Sequence, residues 1–196
     1  NRIPVPISQV PQNLQNAFVA AEDVRFYEHH GVDPRGILRA VFANLTSGNA
    51  TGQGGSTITQ QLARNAFLTQ EQTLKRKLLE VVLAFEIESK YTKKQILEMY
   101  MNQIYFGQGC YGIQTAAHVY FGKDVKDLSL PQCAMLAGLP NSPNYYSPFR
   151  SLEAAKYRQG IVLDQMAKYG YISAADAQAA KAAGVHLATF SASFCM

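Results

Sequence analysis

Apolar residues in this chain recur at helical spacing in nearly every segment, and the alternating pattern of strands is almost absent. That pattern predicts a mainly α fold. Leu14, Ala17, Phe18 and Ala21 fall on one face of a helix expected over 13–24. Ile37, Leu38, Val41, Phe42 and Leu45 mark a second helix, opened by Asp33-Pro34 as cap and first residue. This second helix reads either as an ordinary core helix or as an amphipathic element touching lipid, with Arg39 on its polar side. Pro4, Pro6 and Pro11 make residues 1–12 an extended lead-in. Residues 46–55, TSGNATGQGG, read as a loop, and ITQQLARNAF as the helix that follows it. Further helices are expected over 70–90, from a Thr92–Gln95 capping box to about Asn102, over 113–121, after Ser129, and over 151–169 and 173–183.

Composition narrows the class. The 196 residues suit one domain or two small lobes, and 47% hydrophobic content supports a core. Charged residues are only 16%, against roughly 25% in ordinary domains, which points to a membrane-facing or partner-facing patch. The net charge of +4 is too mild to argue for nucleic acid and suits an anionic substrate or membrane surface. The three cysteines, Cys110, Cys133 and Cys195, have no metal spacing and read as free thiols. No apolar run is long enough to span a bilayer, and no signal peptide is visible. The chain opens on Asn1, which suits a piece of a longer protein with its anchor outside.

Three stretches carry candidate chemistry. The first is Glu22 to Asp33, EDVRFYEHHGVD, where Glu22 follows Phe18 by one turn at the edge of the apolar face. Partial desolvation there favours the neutral acid and makes Glu22 a better proton acceptor near neutral pH. A helix ending in an acidic, solvated turn is the plainer reading. The second is Gly54-Gly55-Ser56-Thr57, a Gly-rich turn opening a helix. It can hold an anion on its free N–H groups, or be a simple capped start; the P-loop ending is absent. The third is Glu80, set in LLEVVLAF beside Leu74, Leu78, Val81, Val82 and Phe85. A buried carboxylate must be paired, and Arg76 at i−4 and Lys77 at i−3 can reach it. A structural ion pair and a second active-site carboxylate both fit. Gly107, Gly109 and Gly112 match GxGxxG, but without a βαβ unit they read as a tight loop between helices.

Taken together these motifs resemble one family. Glu22 to Gly31, Gly54 to Gln61, Arg76 to Glu80, Tyr105 to Gly109 with Tyr120 to Lys123, and Ala134 to Pro143 are similar to five signatures of the peptidoglycan glycosyltransferases, in family order. The resemblance covers about residues 15–150. It implies a lysozyme-like large lobe with a small membrane-associated jaw lobe at about 34–55, in a single domain over 1–190 with a tail at 191–196. It implies polymerisation of lipid II into β-1,4 glycan strands at the outer face of the bacterial cytoplasmic membrane. The anomeric centre inverts and undecaprenyl diphosphate leaves. The implied partners are lipid II, the growing glycan strand and the membrane, with a transpeptidase domain elsewhere in a full-length protein as an option.

The resemblance makes Glu22 the base, with Glu80 near the leaving group or orienting its cations. Ser56, Thr57, Arg64, Arg76 and Lys77 would meet the diphosphate. Asp23, Phe26, His29, Gln60, Gln61, Asn65 and Tyr105 would bind substrate or shape the site. No cofactor is required by the resemblance; some members of the family hold a divalent cation near the diphosphate, so Mg²⁺ is allowed. The family commonly has Lys where this chain has Arg64, which keeps charge and changes geometry. No SxxK motif occurs, so these residues are not expected to bind penicillin. The rivals are a lysozyme-like hydrolase or lytic transglycosylase, which has no diphosphate to neutralise, and a non-catalytic membrane-binding module, which needs neither Glu22 nor Glu80.

Overall fold

The computed structural model describes residues 2–47, 54–68 and 73–189, and these are mainly helical. The helices are α1 (Gln12–Glu22), α2 (Pro34–Ser47), α3 (Ile58–Phe67), α4 (Leu74–Lys90), α5 (Lys93–Gln103), α6 (Ile113–Phe121), α7 (Leu130–Gly138), α8 (Leu152–Lys168) and α9 (Ala174–Ala182). Only one isolated bridge, Tyr105 to Tyr111, has strand character among the described residues. The helix expected over 13–24 ends at Glu22, so Asp23 falls in the turn that follows. The lead-in also departs from a purely extended course, with a 3₁₀ turn at Ile7–Gln9. Of the loop expected over 46–55, Thr46 and Ser47 belong to α2 instead, and residues 48–53 lie outside the described residues, as do the start of the helix expected from residue 70, Cys195 and the tail at 191–196.

The chain divides into two compact units, Glu22–Tyr100 and Asn1–Ala21 with Met101–Met196. In the second of these, α7 packs on α8, α9 and α6. Leu14, Ala17 and Phe18 are buried, and the Phe18 and Phe106 rings meet edge to face at 6.1 Å. The Pro-rich lead-in is tied down by one side chain: Asn102 Oδ1 accepts from Val5 N–H at 3.0 Å, and its Nδ2 donates to Val5 O at 2.9 Å. The GxGxxG stretch is a tight loop between α5 and α6. Gly107 and Gly112 have φ of 84° and 83°, and a Cβ at either would sit 2.8 Å from a backbone oxygen, of Pro143 and Asn102 respectively. Glycine is required there by conformation and by space alone. Cys110 and Cys133 are buried free thiols, and burial pushes the Cys133 thiol up to about 12.

In the unit Glu22–Tyr100, α3 packs along α4. The Thr57 side chain and Gln60 form a capping box at the start of α3, which settles the choice between Ser56 and Thr57. The inner face of α4 is Glu80, Ala84 and Ile87, at i, i+4 and i+7. The apolar face noted in the sequence is turned to solvent: Leu74, Leu78, Val82 and Phe85 are 87%, 69%, 61% and 52% exposed. On α2 likewise, Ile37, Leu38, Val41 and Phe42 are exposed, so the core-helix reading of that segment gives way. No described helix is long and apolar enough to cross a membrane.

Candidate active site

Glu22 is the last residue of α1 and is half-buried. Its Oε2 accepts from Gln61 Nε2 at 3.1 Å, and Gln61 Oε1 accepts from Tyr100 O–H at 3.2 Å. The buried tyrosine thereby fixes which end of the amide faces the carboxylate. Burial holds the Tyr100 phenol well above its ordinary range, and the Glu22 charge adds to the shift. Tyr100 thus stays a hydrogen donor. Nothing in the local sequence marked Tyr100; the rule that a buried tyrosine needs a polar partner was the available clue.

The turn after Glu22 is a scaffold. Asp23 Oδ2 accepts from His29 Nε2 at 2.7 Å and from the Ile58 N–H, at the first residue of α3, at 3.0 Å. His29 Nδ1 accepts from Gly31 N–H at 3.0 Å, which leaves Nε2 to carry the ring hydrogen toward Asp23. Gly31 O in turn accepts from Thr57 Oγ1 at 2.6 Å. Gly31 has φ 110°, and a Cβ there would lie 3.0 Å from the Ala84 carbonyl carbon and oxygen of α4. Only glycine lets this turn lie against α4 while bonding α3.

Behind it, Phe26 is fully buried, with Lys93 Nζ 4.5 Å from its ring centroid. Lys93 also donates to Glu88 at 2.7 Å, and Glu88 accepts from Thr59 Oγ1 at 2.7 Å. No local spacing marks this group, because its members come from the turn after α1 and from α3, α4 and α5.

The third motif forms a charge cluster. Glu80 has no exposed surface, and three cations surround it: Lys77 Nζ at 2.9 Å, Arg76 Nε at 3.3 Å and Arg64 Nε at 3.7 Å. Lys77 also donates to Ser56 Oγ at 2.7 Å. The expected i−4 and i−3 partners are present, and α3 adds the third. Three positive groups on one carboxylate leave a local excess of positive charge. The Lys77 and Arg64 side chains are 46% and 34% exposed, so that excess reaches solvent. Asn65 is exposed beside it on α3.

These positions sort the expected site residues. Glu22, Ser56, Gln61, Arg64, Asn65 and Lys77 keep exposed surface, and Arg76 keeps a little. Asp23, Phe26, His29, Thr57 and Gln60 are buried and hold one another or the backbone in place. Of the two roles expected of them, binding substrate or shaping the site, their engagement inside the unit is the geometry of shaping. At the α3 start Thr57 N–H donates to Gln60 Oε1, Gln60 N–H to Thr57 Oγ1 and Ile58 N–H to Asp23, so these three N–H groups already have acceptors within the protein.

Tyr105 belongs to the other unit, where its ring lies 5.0 Å from that of Tyr111 and its hydroxyl accepts from Gly109 N–H. Among the described residues no three His, Cys, Asp or Glu side chains could hold a metal together. With Glu80 already ringed by cations, the residues present do not fit a resident Mg²⁺.

α3 sets the spacing of the two carboxylates. Gln61 meets Glu22, and Arg64, three residues on, meets Glu80. Three residues of helix rise about 4.5 Å. A half-buried carboxylate and a cationic cluster thus stand roughly one turn apart along one helix.

Comparison with known proteins places this arrangement in a family. The Transglycosylase family model matches residues 1–167, and the chain belongs to that family. It is 54% identical over 172 residues to penicillin-binding protein 1A of Escherichia coli, covering 88% of this chain and 20% of that protein. It is 48% identical over 189 residues to penicillin-binding protein 1F of Bacillus subtilis, covering 95% of this chain and 26% of that one. The chain therefore spans about a quarter or less of these relatives' length. A Cupriavidus necator protein provisionally named a transglycosylase is 49% identical over 169 residues, covering 86% of this chain and 72% of that protein. The crystal structure of penicillin-binding protein 1A from Haemophilus influenzae superposes with a TM-score of 0.57 at 25% identity, covering 96% of this chain and 18% of that one.

Proposed function

We propose that the chain is a peptidoglycan glycosyltransferase that polymerises lipid II into β-1,4 glycan strands with inversion, releasing undecaprenyl diphosphate. The observation that carries this reading is the cluster of Arg64, Arg76 and Lys77 on buried Glu80, one helical turn along α3 from the Glu22 contact. A hydrolase acting on finished glycan has no diphosphate to neutralise and no use for that excess of positive charge.

In this reading Glu22 takes the proton from the 4-hydroxyl of the incoming lipid II. The freed oxygen attacks the anomeric carbon of the donor strand from the face opposite the diphosphate. The bond from that carbon to the diphosphate oxygen breaks, and both electrons leave with the diphosphate. Lys77, Arg64 and Arg76 stabilise the charge that develops there, which preorganised cations do without rearranging during the step. A positioned base of this kind contributes roughly 10²–10⁴ in rate. Glu80 holds the cations in place and keeps them from repelling one another apart.

The exposed apolar faces of α2 and α4 support a membrane-associated jaw lobe that dips toward the bilayer, where the undecaprenyl chain lies. Exposed apolar surface of this kind supports work at a membrane surface, which in this reading is the outer face of the bacterial cytoplasmic membrane. The reading also fits a position beside a transpeptidase domain in a longer protein, since the penicillin-binding relatives extend far beyond the matched part. The test is incubation of the purified chain with labelled lipid II in detergent. Long polymer digested by lysozyme, with diphosphate-lipid released, is the expected product. Cleavage of preformed glycan without synthesis would replace this reading with the hydrolase.

A further inference from the structure

The unit that lacks Glu22 has a cavity of its own, of about 360 Å³, lined by Tyr145, Tyr146, Ser151, Glu153, Ala154 and Tyr157. This volume is at the small end of ligand sites. Two of the three tyrosines, Tyr145 and Tyr157, are more than half exposed. The Tyr145 and Tyr146 rings are held by neighbours. Tyr145 stands edge-on to Tyr146 at 5.0 Å and 81°, and Tyr146 lies 5.9 Å from the guanidinium carbon of buried Arg158. The Tyr146 N–H is bonded to Ser142 O, which fixes the backbone that carries both rings.

We propose that this cavity binds a saccharide unit of a β-1,4-linked N-acetylated glycan. A pyranose offers an apolar face of C–H groups and a rim of hydroxyls. The electron-rich face of a tyrosine suits the C–H groups, and its polar edge suits the rim. The other lining groups complete the match. Glu153 lies in the first turn of α8, where the helix dipole favours its charge, and it has no ion-pair partner among the described residues. It can accept from sugar hydroxyls or an amide N–H. Ser151 Oγ accepts from Ala154 N–H, which leaves its own hydrogen to donate to an acetamido oxygen.

The inference rests on the glycan-polymer reading above for the choice of a sugar over a proline-rich peptide, which also docks on aromatic grooves. The site would hold a stretch of glycan strand, and its lining includes none of the groups assigned to the chemistry.

The probe is a soluble β-1,4-linked N-acetylglucosamine tetramer, titrated against the whole chain and the variants Y157A and Y145A/Y157A. The chain has eleven tyrosines and no tryptophan, so tyrosine emission reads binding directly. Both substituted rings are exposed, so helical content is expected to stay unchanged. The Kd is expected to rise about tenfold in Y145A/Y157A, with a smaller rise in Y157A. Equal affinity in all three proteins would overturn the proposal, and so would saturable binding of a proline-rich peptide lost in the same variants. Lipid II turnover measured alongside separates the two readings. Loss of tetramer binding with normal turnover supports this site, whereas absent turnover in the unaltered chain counts against the transferase alone.

Discussion

Removing the Glu80 charge tests the cluster most sharply. Glu80→Gln keeps the volume and removes the negative charge on which three cations converge, at 2.9, 3.3 and 3.7 Å. Breaking a buried ion pair costs about 3–5 kcal/mol, largely through the charge left behind. Part of that is recovered here. Lys77 and Arg64 are each about a third to a half exposed and can turn to water, whereas Arg76, at 14%, cannot readily do so. A loss of roughly 2–3 kcal/mol remains. For a chain of this size each kcal/mol shifts Tm by about 2–4 °C, so Tm is expected to fall by roughly 4–12 °C. Circular dichroism melting measures it. A second arm adds inorganic pyrophosphate, which can replace the lost negative charge. It is expected to raise the Tm of the Glu80→Gln variant more than that of the unaltered protein. At about a hundredfold excess over its Kd, a ligand stabilises by about 2.7 kcal/mol. An unchanged Tm, with no difference in the response to pyrophosphate, would refute the cluster as a buried ion network.

Other outcomes follow from single groups. Asp23→Asn weakens the bonds to His29 and to the start of α3, and should destabilise by about 1–3 kcal/mol in urea unfolding; an unchanged midpoint contradicts the scaffold role. Gly31→Ala meets both a positive φ and the α4 backbone, and should cost well over 1 kcal/mol in the same assay. Cys133 gives a pH signature. Its thiol is raised from 9.0 to about 12 by burial, so the unfolded chain loses this proton first. Its contribution is complete below pH 9 and is lost between pH 9 and about 12, at up to about 1.4 kcal/mol per unit. The stability slope between pH 9 and 10 should flatten in Cys133→Ala, and an identical slope would contradict the burial. Leu38→Ser with Phe42→Ser removes two exposed apolar side chains from α2, and should weaken flotation with anionic lipid vesicles roughly 10²-fold; equal flotation argues against α2 as the membrane face.

Much of the helical plan was written in local chemistry. The Thr57–Gln60 and Ser129–Gln132 capping boxes, Pro34 at a first helical position and Gly122 as a left-handed cap are short-range signals. The pairing of Glu80 with Arg76 and Lys77 was legible for the same reason, since i−4 and i−3 neighbours share a face. The direction of burial was not. Periodicity shows that α4 has an apolar face, but not which face meets the core, and here a carboxylate lies inward while leucines face out. Contacts between distant segments were equally hidden. Gln61 reaches Glu22 across 39 residues, as does Tyr100 to Gln61, and neither distance leaves a periodic trace. Motif resemblance names segments and does not separate exposed residues from buried supports. His29 and Phe26 stand in the same signature as Glu22, yet both are buried beneath it.

The most direct test of the central claim is lipid II turnover by Glu22→Gln beside the unaltered chain, with lipid II binding measured on both. The account predicts that synthesis falls by at least about 10²-fold while binding persists, because the amide keeps the contact with Gln61 and cannot take the proton. Turnover at the unaltered rate would mean that Glu22 is not the base, and the mechanism built on it would be wrong.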